Sequence, residues 1–269
     1  MRMDKRFRVP PHTSVRLADF DPDDTAGFDK GDKAHEHLEK NIARMANLEY
    51  RLYAEGRRAL LIVLQGMDAA GKDGTVRHVM TGLNPQNCRV TSFKVPSTEE
   101  AAHDFLWRIH KAMPARGEIG IFNRSQYEDV LVVRVHELVP KSVWSARYDQ
   151  INRFEKLMSD SGVTILKFFL HISRKEQLAR LDQRLDDPAR NWKISGADFK
   201  ERKRWNDYVK AYEAVLSRCS TSAAPWFVIP ANKKWFRNLA VSQIIVETLE
   251  RMNPKFPKPS VDLSKIKVK

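Results

Sequence analysis

Cysteine is scarce: Cys88 and Cys219 are the only two in 269 residues. That excludes a disulfide-stapled scaffold and a zinc site built on four cysteines. No apolar run approaches the roughly 20 residues that a membrane-spanning helix needs. The opening MRMDKRFR carries no apolar segment after its charges, so the reading is a soluble, cytoplasmic protein without a membrane partner. Eight histidines are scattered without the H-E-x-x-H spacing of a zinc hydrolase. Ser125 is not framed by the glycines of a nucleophile elbow, which argues against a serine nucleophile. The acidic stretch Asp19 to Asp24 imitates a calcium loop poorly, with Asp24 where glycine is needed and Lys30 where the bidentate glutamate belongs.

Acidic residues are also few relative to basic ones: 34 against 47, a formal charge of +13 and a pI near 9.8. Such a balance calls for a polyanionic partner. Nucleic acid is the default candidate, but no helix-turn-helix, zinc-finger or RNA-binding signature accompanies the charge. A phosphate-rich substrate competes well with it.

The chain is long enough for one large α/β domain, and its 42% hydrophobic content suits a sizeable core. Apolar positions at helical spacing predict a helix over residues 34–54. Strands are expected at about 60–65, 89–94, 119–122, 163–170 and 226–229, and helices at about 98–113, 141–160, 174–185, 196–218 and 235–252. Strands alternating with helices imply βαβ units, hence a parallel sheet covered on both faces. The reading divides the chain into an irregular extension at 1–33, a main domain at 34–253 with a lid near 180–200, and a basic tail at 254–269.

The strongest local signal follows the apolar run Leu60 to Leu64. Gly66 and Gly71 fit the G-x-x-x-x-G-K pattern, with Lys72 at a helix start. Backbone N–H groups in such a turn and the positive end of the helix dipole make a phosphate cradle. The usual Ser or Thr after the lysine is replaced by Asp73. Carboxylates inside a phosphate loop need a cation between themselves and the anion, so Asp68 and Asp73 point to Mg²⁺ held partly by the loop.

Two further clusters stand out. At the third strand's end comes Asn123-Arg124-Ser125-Gln126-Tyr127-Glu128-Asp129, where Arg124 either binds phosphate or pairs with Glu128 or Asp129. Later, Arg180 and Arg184 share a helix face, and Pro188 ends that helix so that Arg190 and Lys193 fold back. That segment reads either as a lid closing on phosphates, a task suited to guanidinium forks, or as a solvated helix laced by Asp182, Asp186 and Asp187.

Together, Gly66-Met67-Asp68-Ala69-Ala70-Gly71-Lys72-Asp73-Gly74, the Asn123–Asp129 segment and Asp187-Pro188-Ala189-Arg190-Asn191-Trp192-Lys193 resemble the polyphosphate kinase 2 family over residues 33 to 252. The resemblance implies a thymidylate-kinase-like P-loop fold, a three-layer α/β architecture with a helical lid. It implies Mg²⁺-dependent phosphoryl transfer from inorganic polyphosphate to adenine nucleotides, with guanine nucleotides as further candidates, and a homotetramer with no nucleic-acid partner. Asp68, Lys72, Arg124 and Glu128 are then catalytic, with Asp68 and Glu128 on the metal. Gly66, Ala69, Ala70, Gly71, Asp73, Gly74, Asn123, Tyr127, Arg180, Arg184, Arg190 and Lys193 bind phosphate or nucleotide. Family members that convert ADP to ATP typically carry Asp where this chain has Asn123, and Asn where it has Glu128. The chain therefore looks like the branch that accepts AMP as well as ADP. The alternatives are an ADP-only enzyme, an ATP-dependent nucleotide kinase and a nucleic-acid-binding protein.

Overall fold

The run Ala59–Gln65 is apolar at every position except its last, and all seven residues are buried. A strand of that composition belongs in the middle of a parallel sheet covered on both faces. In the computed structural model, which describes residues 2–189, 191–193, 196–262 and 264, it is β1, the central strand. Cys88–Ser92 (β2), Ile119–Asn123 (β3), Val163–His171 (β4) and Trp226–Pro230 (β5) complete a sheet of order β2-β3-β1-β4-β5, parallel throughout.

The helices are α1 (Met3–Phe7), α2 (Asp32–Glu55), α3 (Lys72–Val79), α4 (Thr98–Ala101), α5 (Trp107–Lys111), α6 (Val132–Val135), α7 (Lys141–Asp160), α8 (Arg174–Leu185), α9 (Gly196–Lys203), α10 (Trp205–Cys219) and α11 (Lys234–Met252). The long helices and all five strands agree with the sequence reading to within a few residues. This is the P-loop kinase architecture, and its ligand sites lie beyond the carboxyl ends of the strands.

Three stretches differ from expectation. The helix predicted over 98–113 is two short ones. Ser97 opens α4 with a capping box, the helix ends at its C-cap Ala102, and Asp104 then turns the chain by accepting from the backbone of Leu106 and Trp107. The helix predicted over 196–218 is split at Arg204 into α9 and α10. The extension before residue 34 is mostly irregular but firmly packed. Met3, Phe7, Val9, Val15 and Leu17 join the main core, and Val9 donates to the carbonyl of Trp226 on edge strand β5. Its apolar residues are spread too sparsely among charges for periodicity to reveal them.

Beneath the sheet's carboxyl end lies a fully buried polar network. Lys167 of β4 donates to Glu155 of α7, to the Tyr127 hydroxyl at 2.7 Å and to the Cys219 carbonyl at 2.7 Å. Tyr127 and Gln126 both donate to Glu155, at 2.8 and 2.9 Å. The network therefore fastens the turn Gln126–Asp129 to β4 and α7. Burial pushes the Glu155 carboxyl above its ordinary value of 4.5, and Lys167 is the strongest opposing influence.

Replacing Lys167 by Met should cost about 3–5 kcal/mol in urea unfolding at neutral pH, because it leaves a buried carboxyl unpaired. With its cation gone, the folded-state pKa of Glu155 rises further above the unfolded value. The variant should accordingly be most stable below about pH 4.5 and lose stability as pH rises. A loss below about 1 kcal/mol, flat with pH, would contradict the network's structural role.

Candidate active site

The loop between β1 and α3 is shaped by contacts that only certain residues permit. A Cβ on Gly66 would lie 2.9 Å from the Leu170 carbonyl, so the tight passage from β1 into the loop requires glycine. Ala69 is left-handed at φ 63°, and Gly71, at φ 104°, precedes α3. A Cβ on Gly71 would lie 1.9 Å from Nη1 of Arg237. The loop then presents the first amides of α3 to a cleft of about 990 Å³.

Register brings the second cluster alongside. Leu64 of β1 lies opposite Asn123 of β3, and Arg124 donates its backbone N–H to Leu64 at 3.0 Å. Arg124 is itself left-handed, at φ 64°, an uncommon conformation for a non-glycine residue and one that concentrates at functional sites. Its guanidinium stands between two carboxylates, 3.3 Å from Asp68 and 3.6 Å from Glu128. Both alternatives for Arg124 are thus geometrically available at one position: it pairs with Glu128, and it lines the cleft. Asp129 pairs instead with Arg147, at 3.0 Å.

Lys72 donates to the Gly66 carbonyl at 2.8 Å and, more weakly, to Met67 at 3.4 Å. Burial lowers its pKa, and the neighbouring charge of Arg124 adds to that, against Asp68, Glu128 and Asp73. Asn123 donates to Asp73 at 2.7 Å. An amide at the strand end therefore orients the loop carboxylate, where a second carboxylate would repel it.

Two expected ligands have their polar groups committed to protein partners: Arg180, at the cleft wall, and Tyr127, in the core. Arg180 is buried, and all five of its N–H groups are engaged. Nε donates to Glu176, Nη1 to the carbonyls of Ala69 and Ala70, and Nη2 to those of Ala231 and Asn232. It holds the loop's outer side and has no donor left for a phosphate. Tyr127 is fully buried in the Lys167 network and does not reach the cleft. For Arg180 spacing indicates a face shared with Arg184 but not what the guanidinium binds, and for Tyr127 the motif indicates the position but not which way the ring turns.

Arg184, one turn beyond Arg180, lines the cleft as well, and among the described residues its guanidinium has no protein partner. Arg190 lies outside the described residues, and only the backbone of Lys193 is described, in the turn Asn191–Lys193. Trp192 from that turn lines the same cleft, consistent with a segment that reaches over it. The cleft also gathers Arg77, Lys94, Lys234 and Arg237, which the sequence reading missed because none belongs to a recognisable motif.

If Arg180 is a brace, keeping the charge is not enough to replace it. Arg180→Lys cannot span five acceptors and should lower the stability of the unliganded protein by about 1–3 kcal/mol, measured by urea unfolding. Wild-type stability with weakened phosphate binding would reinstate Arg180 as a ligand.

The model of the polyphosphate kinase 2 family matches residues 28–257. A relative from Meiothermus ruber named AMP/ADP-polyphosphate phosphotransferase is 52% identical over 263 residues, covering 97% of this chain and 98% of its own. One from Rhodopseudomonas palustris, named ADP-polyphosphate phosphotransferase, is 45% identical over 94% of this chain and 92% of its own. Among solved structures, polyphosphate kinase 2 from Arthrobacter aurescens superposes with a TM-score of 0.94 at 43% identity, covering 98% of this chain and 94% of that one. With its loop, strand-end cluster and fold matched across nearly the full length, the chain belongs to the polyphosphate kinase 2 family.

Proposed function

We propose that the cleft transfers phosphoryl groups reversibly from inorganic polyphosphate to adenine nucleotides, converting AMP to ADP and ADP to ATP, with Mg²⁺ as cofactor. The observation that carries this reading is Arg124 held between Asp68 and Glu128, with Asp68, Lys72 and Arg124 lining one cleft at the phosphate loop. The name of the Meiothermus relative supports the same pair of acceptors. In the cell the reading is of a cytoplasmic homotetramer.

The donors suit the metal. Mg²⁺ takes hard oxygen ligands, keeps several waters and shares phosphate oxygens, so few protein carboxylates suffice. Asp68 and Glu128 would hold it, with Asp73, fixed by Asn123, beside them. When bound, it supplies neutralisation of charge on the phosphate oxygens.

The chain's own residues do the rest. The acceptor's attacking oxygen is already an ionised phosphate oxygen, so no strong general base is required, and catalysis rests on positioning and charge. The loop amides and Lys72 hold the phosphates at the reacting end, and Arg124 neutralises charge that builds on the transferred group. Arg184, with Arg77 and Lys94 at the rim, extends the positive track along which a phosphate chain lies. Glu128 sets acceptor length. AMP leaves a gap where the outer phosphate of ADP would sit, and a carboxylate there would hold the metal or a water for the shorter acceptor while disfavouring the longer one's extra charge.

Lys72→Ala should fold normally and lose at least two orders of magnitude in transfer rate, since removing one preorganised charge stabiliser costs on the order of 3 kcal/mol. Near-normal turnover would move the reaction away from the loop. Asp68→Asn should raise the Mg²⁺ concentration for half-maximal rate, and an unchanged titration would place the metal elsewhere. Glu128→Asn should lose AMP phosphorylation far more than ADP phosphorylation. Equal losses would assign Glu128 to general catalysis, and a wild type inert towards AMP would establish ADP as the acceptor.

A further inference from the structure

Two buried arginines meet behind the phosphate loop, and their surroundings differ. Arg180 has a carboxylate partner, Glu176, and acceptors for every N–H. Arg237 is equally buried, at 2% exposed, yet among the described residues no carboxylate pairs with it. Its acceptors are neutral: the Asn238 side-chain oxygen, at 3.1 Å from Nε and 2.8 Å from Nη2, and the Ala70 carbonyl, at 3.4 Å from Nη1. One N–H on each terminal nitrogen has no acceptor among the described residues.

Nothing else around Arg237 favours a cation. It lies in the first turn of α11, where the helix dipole is already positive. Burial and the charge of Arg180 lower its pKa to about 10, far below the usual value for arginine. A buried, unpaired charge is costly to a fold unless a ligand completes it. The guanidinium lies against the loop itself: Nη1 would overlap a Cβ on Gly71, and Nη2 would sit 3.3 Å from one on Gly74. It also lines the cleft.

We propose that Arg237 is a phosphate-affinity residue, a buried cation whose counter-ion is the phosphate held by the Gly71–Gly74 stretch of the loop. It acts through the loop backbone as a positioning charge. This inference rests on the proposed function only in taking phosphate chains as the ligand. It explains why α11 keeps a buried arginine with no carboxylate partner among the described residues, and why the residue beside it is asparagine, which accepts from the guanidinium without neutralising it.

The test supplies the missing counter-ion in place. Asn238→Asp keeps the acceptor oxygen and its shape while giving Arg237 a carboxylate. Binding of inorganic tripolyphosphate with Mg²⁺ to the full chain is followed by calorimetry, alongside the melting temperature of the unliganded protein. Asn238→Asp should raise the melting temperature and weaken tripolyphosphate binding about tenfold. Arg237→Gln should weaken binding by a similar factor, and Arg237→Lys should retain most of it. Wild-type affinity in Asn238→Asp would overturn the proposal whatever Arg237→Gln does. Weakened binding with a lowered melting temperature in all three variants would also overturn it, by making Arg237 a structural brace. A wild type that does not bind tripolyphosphate would sink the proposed function as well, whereas tight wild-type binding that Asn238→Asp leaves intact would sink this inference alone.

Discussion

The architecture of the cleft is governed by repulsion among its own cations. Lys72, Arg124, Arg180 and Arg237 approach a single loop, and each is at least half removed from water or held against a neighbouring cation. Like charges at such separations disfavour the empty site and favour any polyanion that enters it. The fold tolerates the arrangement by balancing it unevenly. Glu176 and four carbonyls satisfy Arg180, Asp68 and Glu128 flank Arg124, and Lys72 rests on the Gly66 carbonyl. Two cations without a carboxylate partner among the described residues, Arg184 and Arg237, line the cleft.

That view also gives the buried Lys167 network a purpose beyond stability. Arg124 and Glu128 stand on a short turn, and short turns are poorly ordered unless something holds them. Tyr127 and Gln126, inside the same turn, are anchored from below by Glu155 and Lys167. One face of the turn is thereby locked into the core, and its Glu128 pairs with Arg124, which lines the cleft. A site whose catalysis rests on positioning needs this support more than it needs additional polar groups.

Much of this was legible in the sequence, for identifiable reasons. An uninterrupted apolar run before a glycine-bounded turn allows little but a central parallel strand feeding a phosphate loop, and Asn123–Asp129 follows the third strand as the topology requires. Spacing could not show orientation. Arg180 and Arg184 share a helix face, yet one turn of rise separates a guanidinium occupied by carbonyls from one open to the cleft. Tyr127 turns inward with Gln126, and the order of residues in the motif does not show it. Arg237 belongs to no motif. The signal that could have exposed it is a cluster of basic residues, Lys233, Lys234 and Arg237, at the start of a helix, against the dipole. The firmly packed N-terminal residues were hidden because their partners, such as Trp226, lie more than two hundred positions away.

Relatives named for AMP/ADP and for ADP both belong to the family, and the proposed reading gives the choice of acceptor to Glu128 beside Arg124. The account's central claim is that this cleft uses polyphosphate as donor and begins from AMP. The most direct measurement incubates the wild-type protein with Mg²⁺, inorganic polyphosphate and AMP, with ATP omitted, and resolves the nucleotides chromatographically over time. The account predicts that ADP appears first and ATP after it, with no product when either polyphosphate or Mg²⁺ is left out. AMP that stays unchanged while ADP supplied in its place is converted would contradict the acceptor assignment, and no transfer to either nucleotide would contradict the account as a whole.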